Sequence, residues 1–556
     1  MACVLGINAA FHDPSSALVV DGRIVAAAEE ERFTRRKHGK EPVSFSTWEL
    51  PERSARWCLE HGGIEPSELD AVAYSYDPGL APPRQTDVTA DTWESLRTLY
   101  VERAPLFLKT ALPGLDPQRV RFVAHHVAHA ASAYLAGPCR SCAVLVLDGR
   151  GESASHLAGV AIDGRFEALA AQRLPDSLGL VYESLTDYLG FRRASDEYKV
   201  MALAAYGEPR FLEQLRSELT ATDGGGFRAQ PLAWERLAPR PDGALGQVHA
   251  DLAASVQRRL EELLLELAGW LHERTRERHL ALAGGVALNC VANSRLWRDG
   301  PFEQIWVQPA AGDAGTALGA ALYVARELGD ETEPMQSAAL GRGWDDGELA
   351  RELGGAGVSF EQPDDLAQEI AAALERNLVV ALFQGRAEFG PRALGHRSLL
   401  ADPRDPDNLE RLNDIKGREQ FRPVAPMVPA DRAASIFDGG PLPSPYMLFT
   451  HRVRSDWAQR IPAAVHVDGT ARIQTVDPAA EPLVTDVLEA FERRTGVPVV
   501  INTSLNVAGR PIVDDPRDAL ECFGSSPIDL LAIGSFVLRR TSPTAPQRDR
   551  AEAAVA

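Results

Sequence analysis

The chain has 556 residues, 45% hydrophobic and 24% charged, a soluble globular composition with length for three or four domain-sized units. Its formal charge of −20 repels phosphate backbones and argues against nucleic acid as a main partner. The opening MACVLGINAAFHDPSSALVV has no basic segment before an unbroken apolar run, and no stretch reaches the roughly 18 apolar residues of a membrane span, so a cytoplasmic protein is expected. The six cysteines (Cys3, Cys58, Cys139, Cys142, Cys290 and Cys522) are too sparse for a disulfide framework. Cys139 and Cys142, a lone C-x-x-C, read as structural thiols rather than a zinc site.

In chain order, Val4–Asn8 and Ser16–Val20 are apolar, Asp21-Gly22 marks a turn, and Arg23–Ala28 resumes strand character. The acidic Glu29, Glu30 and Glu31 and the basic Arg32, Arg35, Arg36 and Lys37 then read as a solvated run near an active-site mouth. The buried run AVLVLDG breaks at Gly149-Arg150-Gly151. The stretch Leu252–Leu271 has helical apolar spacing, and LALAGGVALN (280–289) ends another strand at glycines. Strands alternating with helices predict α/β layers. The loose segment GRGWDDGELA predicts a boundary near 345, followed by a helix over Asp364–Arg376 and a strand over Leu378–Phe383. The Pro- and Ala-rich stretch 541–556 reads as a disordered tail.

The sharpest chemical signal is HHVAH. His125 and His129 are four residues apart, so on a helix they share one face and could serve one metal ion. On that spacing alone, a hydrogen-bonding role is an equal alternative. Asp148, at a strand end, and Asp313, just before a helix, add carboxylates where α/β sheets bind ligands. Two His and two carboxylates suit Fe²⁺, Zn²⁺ or Mn²⁺. No P-loop pattern is present. Glycine turns at Gly6–Ser16, Asp148–Glu152 and Gly284–Asn289 could cradle phosphate, and the helix after Asp313 adds its positive end.

The motifs GINAAFHD, EEERFTRRKHG, HHVAHAASAY, LDGRGE, EYKVMALAAYG, LAGGVALN and GDAGTALGAAL together resemble the nodulation-type and antibiotic-biosynthesis O-carbamoyltransferases over nearly the whole chain. The resemblance implies an actin-like ATPase (ASKHA) fold for residues 1–345. It implies His125, His129, Asp148 and Asp313 as ligands of a divalent metal, with Fe²⁺ favoured and Zn²⁺, Mn²⁺ or Mg²⁺ as options. Gly151, Gly284, Gly285, Asn289 and Asp313 would surround the nucleotide. His12 would take the proton of the attacking hydroxyl, the alternative being a His that only orients the turn.

Residues 346–540 carry Arg392 and Arg397 in FGPRALGHRSLL, Lys416, Arg418 and Arg422 in IKGREQFRP, Arg472 in HVDGTARIQTV, and Ser504 and Asn506 in INTSLN. Arginine concentrated in short segments between apolar runs suits bidentate phosphate binding. The pattern resembles a YrdC-like adenylating fold. The resemblance implies that Arg392, Lys416, Arg418, Arg422, Arg472, Ser504 and Asn506 bind carbamoyl phosphate and ATP, with Lys416 and Arg422 catalytic. One departure stands out: where the family commonly has Arg and Glu after N-T-S-x-N, this chain has Ala508 and Arg510. The expected partners are ATP, carbamoyl phosphate and a small hydroxyl-bearing acceptor, the segment 78–113 lining its pocket; the assembly could be a homodimer. A tRNA-modifying enzyme of the threonylcarbamoyl type and a non-catalytic nucleotide-binding regulator are the competing readings.

Overall fold

A computed structural model describes residues 2–39, 49–82 and 93–540 of the chain; the predicted tail at 541–556 lies outside them. Strands β1 (Cys3–Asn8), β2 (Ser15–Val20), β3 (Arg23–Glu29), β4 (Ala71–Tyr74) and β5 (Val120–Phe122) form a sheet in the order β3-β2-β1-β4-β5. The first three strands are antiparallel, while β4 and β5 continue parallel to β1. Helix α1 (His125–Tyr134) leads to a second sheet. Its strands are β6 (Ser141–Leu147), β7 (Ala154–Ile162), β8 (Arg165–Arg173), β9 (His279–Ala283) and β10 (Gln304–Val307), in the order β8-β7-β6-β9-β10. Again three antiparallel strands precede two parallel ones, so the two sheets repeat one topology. Between β8 and β9 lie helices α2 (Glu197–Ala204) and α3 (Gln247–Thr275). The latter buries Leu260, Leu263, Leu264, Leu267 and Leu271 at helical spacing.

The two sheets share a core through α1 and α4 (Ala314–Glu327). Both helices are rich in small residues because their backbones approach closely. A Cβ on Gly319 of α4 would lie 1.8 Å from the Ala128 carbonyl oxygen of α1. This close seam fixes where α1 holds its histidines.

Helix α5 (Asp346–Gly355) begins where Asp345 and Glu348 cap one another's amides at 2.7 and 2.9 Å. Helix α6 (Leu366–Glu375) then leads into a third sheet. It contains β11 (Val380–Phe383), β12 (Arg397–Ala401), β13 (Ala425–Pro429), β14 (Gln474–Val476), β15 (Val500–Ser504), β16 (Leu530–Ile533) and β17 (Phe536–Arg539), in the order β14-β13-β15-β12-β11-β16-β17. The sheet is mixed: β13–β14 and β11–β16 are parallel and the other neighbours antiparallel. Its own apolar core runs from Leu349 to Leu538.

One sequence expectation is overturned. The run 29–37 is not a solvated face: Glu29, Glu30 and Arg32 are buried. Arg32 lies 3.5 Å from Glu29 and donates to the Gly390 carbonyl at 2.9 Å, while Glu29 accepts the Gly390 amide at 2.7 Å. Arg35 donates to the Pro511 and Ile512 carbonyls and pairs with Asp518 at 3.2 Å. Glu30 accepts the amides of Arg53 and Ser54 at 3.1 and 2.8 Å, and within this run it is Arg35, with Asp518, that pairs opposite charges across the seam between the two halves.

Candidate functional site

Glu152, itself buried, accepts the amide of His125 at 2.8 Å and so holds the start of α1. The helix carries His125 and His129 one above the other, both 0% exposed. Asp148, just beyond β6, and Asp313, just before α4, come up to them. His125 Nε2 is 3.6 Å from Asp148 and 3.5 Å from Asp313, and His129 Nε2 is 3.5 Å from Asp313. One ligand atom from each of the four residues lies within 4.8 Å of the others.

The donor set fits a cation. Both nitrogens of His129 and Nε2 of His125 are buried without a hydrogen-bond partner, an arrangement native interiors avoid unless something else satisfies them. His125 Nδ1 faces the Ser75 carbonyl at 3.2 Å, which keeps a proton on Nδ1 and turns Nε2 into the cluster. Asp148 is steadied by the Gly285 amide at 2.9 Å. Burial works against charge on His125, but Asp313 and Asp148 beside it outweigh that and raise its pKa well above the usual range. Asp148 responds in kind: burial opposes its charge, and His125 and His129 pull its pKa down.

The predicted nucleotide glycines divide. Gly285, Asn289 and Asp313 stand on the wall of a cavity of about 1040 Å³. Gly151 and Gly284 stand behind that wall. The Gly151 amide donates to Ala154 at 2.7 Å, and its missing Cβ makes room for the His126 ring. Gly284, at φ +91°, donates to Ala311, and a Cβ there would meet the Leu147 carbonyl at 2.1 Å. The Asn289 side chain caps the following helix at Ala292 and bonds to Gln257.

The same cavity continues into the second half of the chain, where Arg392, Lys416, Arg418, Arg422, Arg472, Ser504 and Asn506 all line it. Lys416 Nζ donates to Asn506 Oδ1 at 2.6 Å and to Ser504 Oγ at 3.0 Å. Burial, then Arg418 and Arg422, push its pKa well below the usual lysine value. Burial and Arg472 bring Arg392 down to about 9, and burial with Arg422 does the same for Arg418. Arg392 Nε, Arg472 Nε and one Arg418 nitrogen are buried with no hydrogen-bond partner. Arg422 lies over the Tyr198 ring, 4.6 Å from its centre, and 3.5 Å from Glu419. Cations gathered this way call for an anion with several oxygens. Arg397 is different: it is fully buried over Phe383 and donates only to main-chain carbonyls, so it holds the loops of the fold.

His12 also lines the cavity. Its Nδ1 is 2.8 Å from Asp13 and its Nε2 contacts the Ala194 carbonyl. Of segment 78–113, residues 83–92 lie outside the described part, and Arg97 is what the described part contributes to the cavity wall. At the departing loop, Ala508 and Arg510 both line the cavity, and Arg510 also pairs with Glu521 at 3.3 Å. Sequence reasoning missed Asp13, His38 and Ser195, which line the cavity, and Glu152, which starts α1. Only the acidic end of LDGRGE hinted at the last.

Two family models match the chain. A model of the carbamoyltransferase N-terminus matches residues 3–115 and 107–322, and one of the carbamoyltransferase C-terminus matches residues 371–540. The chain belongs to the carbamoyltransferase family. It is 38% identical to the nodulation protein NolNO of Sinorhizobium fredii over 96% of this chain and 80% of that one. It is also 31% identical to nodulation protein U of Rhizobium tropici over 92% of each. The protein is thus an O-carbamoyltransferase. Among solved structures, T. kodakarensis HypF aligns at a TM-score of 0.32 and 15% identity, covering 59% of this chain and 48% of that one, a likeness too loose to carry an argument. Among the described residues, no helix is long and apolar enough to cross a membrane.

Proposed function

We propose that this carbamoyltransferase works in two steps in one cavity. Residues 346–540 convert carbamoyl phosphate, ATP and one water into carbamoyl-adenylate, releasing inorganic phosphate and pyrophosphate, and residues 1–345 transfer the carbamoyl group to a hydroxyl of a small natural product. The observation that carries this reading is the continuity of the cavity, with clustered cations, several of whose nitrogens lack a hydrogen-bond partner, at one end and the His/Asp cluster at the other. Its volume suits two reactants rather than one. The repeated five-stranded sheets support an actin-like reading of the first part, and the mixed sheet carrying Ser504, with Lys416 bonded to it, a YrdC-like reading of the second.

In this scheme Arg392, Arg418, Arg422 and Arg472 neutralise charge spread over phosphoryl oxygens. Lys416, held by Ser504 and Asn506, faces the leaving group. His125, His129, Asp148 and Asp313 would hold a divalent ion, Fe²⁺ by preference, whose charge would offset that of the nucleotide phosphate. Gly285 and Asn289 shape the wall around it, and His12 stands beside the acceptor. The cavity walls keep water from the labile adenylate. The net charge of −20 weighs against a tRNA acceptor.

The test is to incubate the enzyme with ATP, carbamoyl phosphate and divalent metal without acceptor. Pyrophosphate and carbamoyl-adenylate that both depend on carbamoyl phosphate are expected by mass spectrometry. If neither forms with any metal, alone or with a panel of hydroxylated acceptors, activation by adenylation is wrong.

A further inference from the structure

Beside the transfer site, four side chains form a hydrogen-bonded chain, of which the scheme above uses His12 alone. Ser195 Oγ is 2.8 Å from His38 Nε2, and His38 Nδ1 is 2.7 Å from one oxygen of Asp13. The other oxygen of Asp13 is 2.8 Å from His12 Nδ1. An ionised carboxylate only accepts, so His38 Nδ1 carries the proton and its Nε2 accepts from the Ser195 hydroxyl. His12 is placed differently. Both of its ring nitrogens face acceptors, the Asp13 carboxylate and the Ala194 carbonyl, so neither presents a lone pair to an incoming hydroxyl.

The backbone around this chain is unusual. Asp13 (φ 45°), His38 (φ 61°) and Ala194 (φ 52°) all adopt the left-handed conformation although none is glycine. Such conformations persist where the surroundings impose them, and they gather at functional sites. The three come from separate parts of the chain and meet around one hydrogen-bonded unit on the cavity wall. The ring nitrogens and carboxylate oxygens of this group already have protein partners, whereas the His125/His129 cluster has orphaned nitrogens. His12, Asp13 and His38 also lie close enough together to hold a cation, but their mutual hydrogen bonds suit a proton path better.

We infer that Ser195, His38 and Asp13 form a proton relay in which Ser195 Oγ receives the proton of the attacking hydroxyl and passes its own to His38 Nε2. The inference rests on the proposed carbamoyl-adenylate. The acceptor oxygen bonds to the carbamoyl carbon, the bond from that carbon to the adenylate phosphate oxygen breaks, and AMP leaves with the electron pair. One proton ends on His38, and Asp13 balances the imidazolium, as the carboxylate does in Ser-His-Asp enzymes. Burial lowers the pKa of His38, although Asp13 beside it works the other way, which suits a ring that rests neutral. Ser195 touches the substrate; His38 and Asp13 act through it.

The test uses water as the acceptor hydroxyl, so no natural acceptor is needed. Enzyme is given ATP, carbamoyl phosphate and Fe²⁺ or Mg²⁺; pyrophosphate reports activation and AMP reports discharge. In Ser195→Ala and His38→Gln, the ratio of discharge to activation falls about 100-fold, the scale of general acid–base catalysis. The wild-type discharge rate also shows an acid limb that His38→Gln lacks. The charged groups facing His38 are Asp13 and His12 from the β1–β2 turn and Glu31, which accepts the His38 amide at 2.7 Å. An unchanged ratio and unchanged profile in both variants overturns the relay. If the wild type makes no pyrophosphate, the adenylate reading fails instead, and a fluorophosphonate probe then decides. Labelling at Ser195 that His38→Gln slows about 100-fold supports the relay, and a wild type that resists labelling overturns it.

Discussion

His129 has two buried nitrogens without a hydrogen-bond partner, its Nε2 lying 3.5 Å from Asp313, an arrangement that suits a bound cation. Replacing it with Ala removes one of four candidate ligands. Metal content measured by elemental mass spectrometry is expected to fall by more than the roughly 10–100-fold that loss of an outer hydrogen-bond partner costs. Carbamoyl transfer should fail while pyrophosphate formation persists. Lys416→Ala is the converse. It takes away the one ammonium held between Ser504 and Asn506, and pyrophosphate formation should stop while metal content stays. If both variants lose the same step, the two-step scheme is wrong. The His125/His129 pair was legible in the sequence because both residues lie on one helical turn. The Ser195–His38–Asp13 chain was not: it joins residues 157 positions apart, and no local spacing encodes that. His38 stood at the end of a run that looked like a solvated charge cluster, because the partners of Glu29 and Arg32 come from Gly390, 361 and 358 positions away.

At the scale of elements, the strands were readable because several end in glycine turns, and the helices because apolar residues recur every three or four positions. The packing between elements was not. Gly319 reads as one small residue in an alanine-rich helix, yet its hydrogen is what lets α4 meet the α1 backbone. Gly319→Ala would place a carbon 1.8 Å from the Ala128 carbonyl, so the helices must separate. Overpacking of this kind costs about 1–3 kcal/mol, and the loss should appear as a lower thermal midpoint together with reduced metal content, since α1 carries two ligands. Gly269 is the internal control. It lies in α3, where an added methyl group would meet nothing within 4 Å, and Gly269→Ala should be neutral or stabilising by up to about 1 kcal/mol. Equal behaviour of the two variants would mean that the α1–α4 approach is looser than described.

At the scale of the whole molecule, an acidic protein of charge −20 concentrates Arg392, Arg418, Arg422, Arg472 and Lys416 in one buried region. Their mutual repulsion, which adds to burial in lowering the pKa values of Arg392, Arg418 and Lys416, is strain that a polyanion relieves. Pyrophosphate or ATP should therefore raise the thermal midpoint, by an amount equivalent to about 2.7 kcal/mol at 100 times its Kd. Arg472→Ala should show a smaller shift. The two halves are joined by Lys199–Glu419 at 2.7 Å and by Arg35, which donates to the carbonyls of Pro511 and Ile512. Those carbonyls follow the loop in which Ala508 and Arg510 replace the usual Arg and Glu. Arg35 thus ties this loop, beside the shared cavity, to the first half of the chain. Arg35→Ala leaves the cations and the His/Asp cluster in place, so adenylate should still form. With the loop released, more of that adenylate should escape into solvent. The measurement is the fraction of carbamoyl-adenylate passing a protein-retaining filter, divided by pyrophosphate made in the same time. A ratio several-fold above wild type locates the seal at this seam; an unchanged ratio means that adenylate is retained by the pocket walls alone, and the joint between the halves serves only to hold them together.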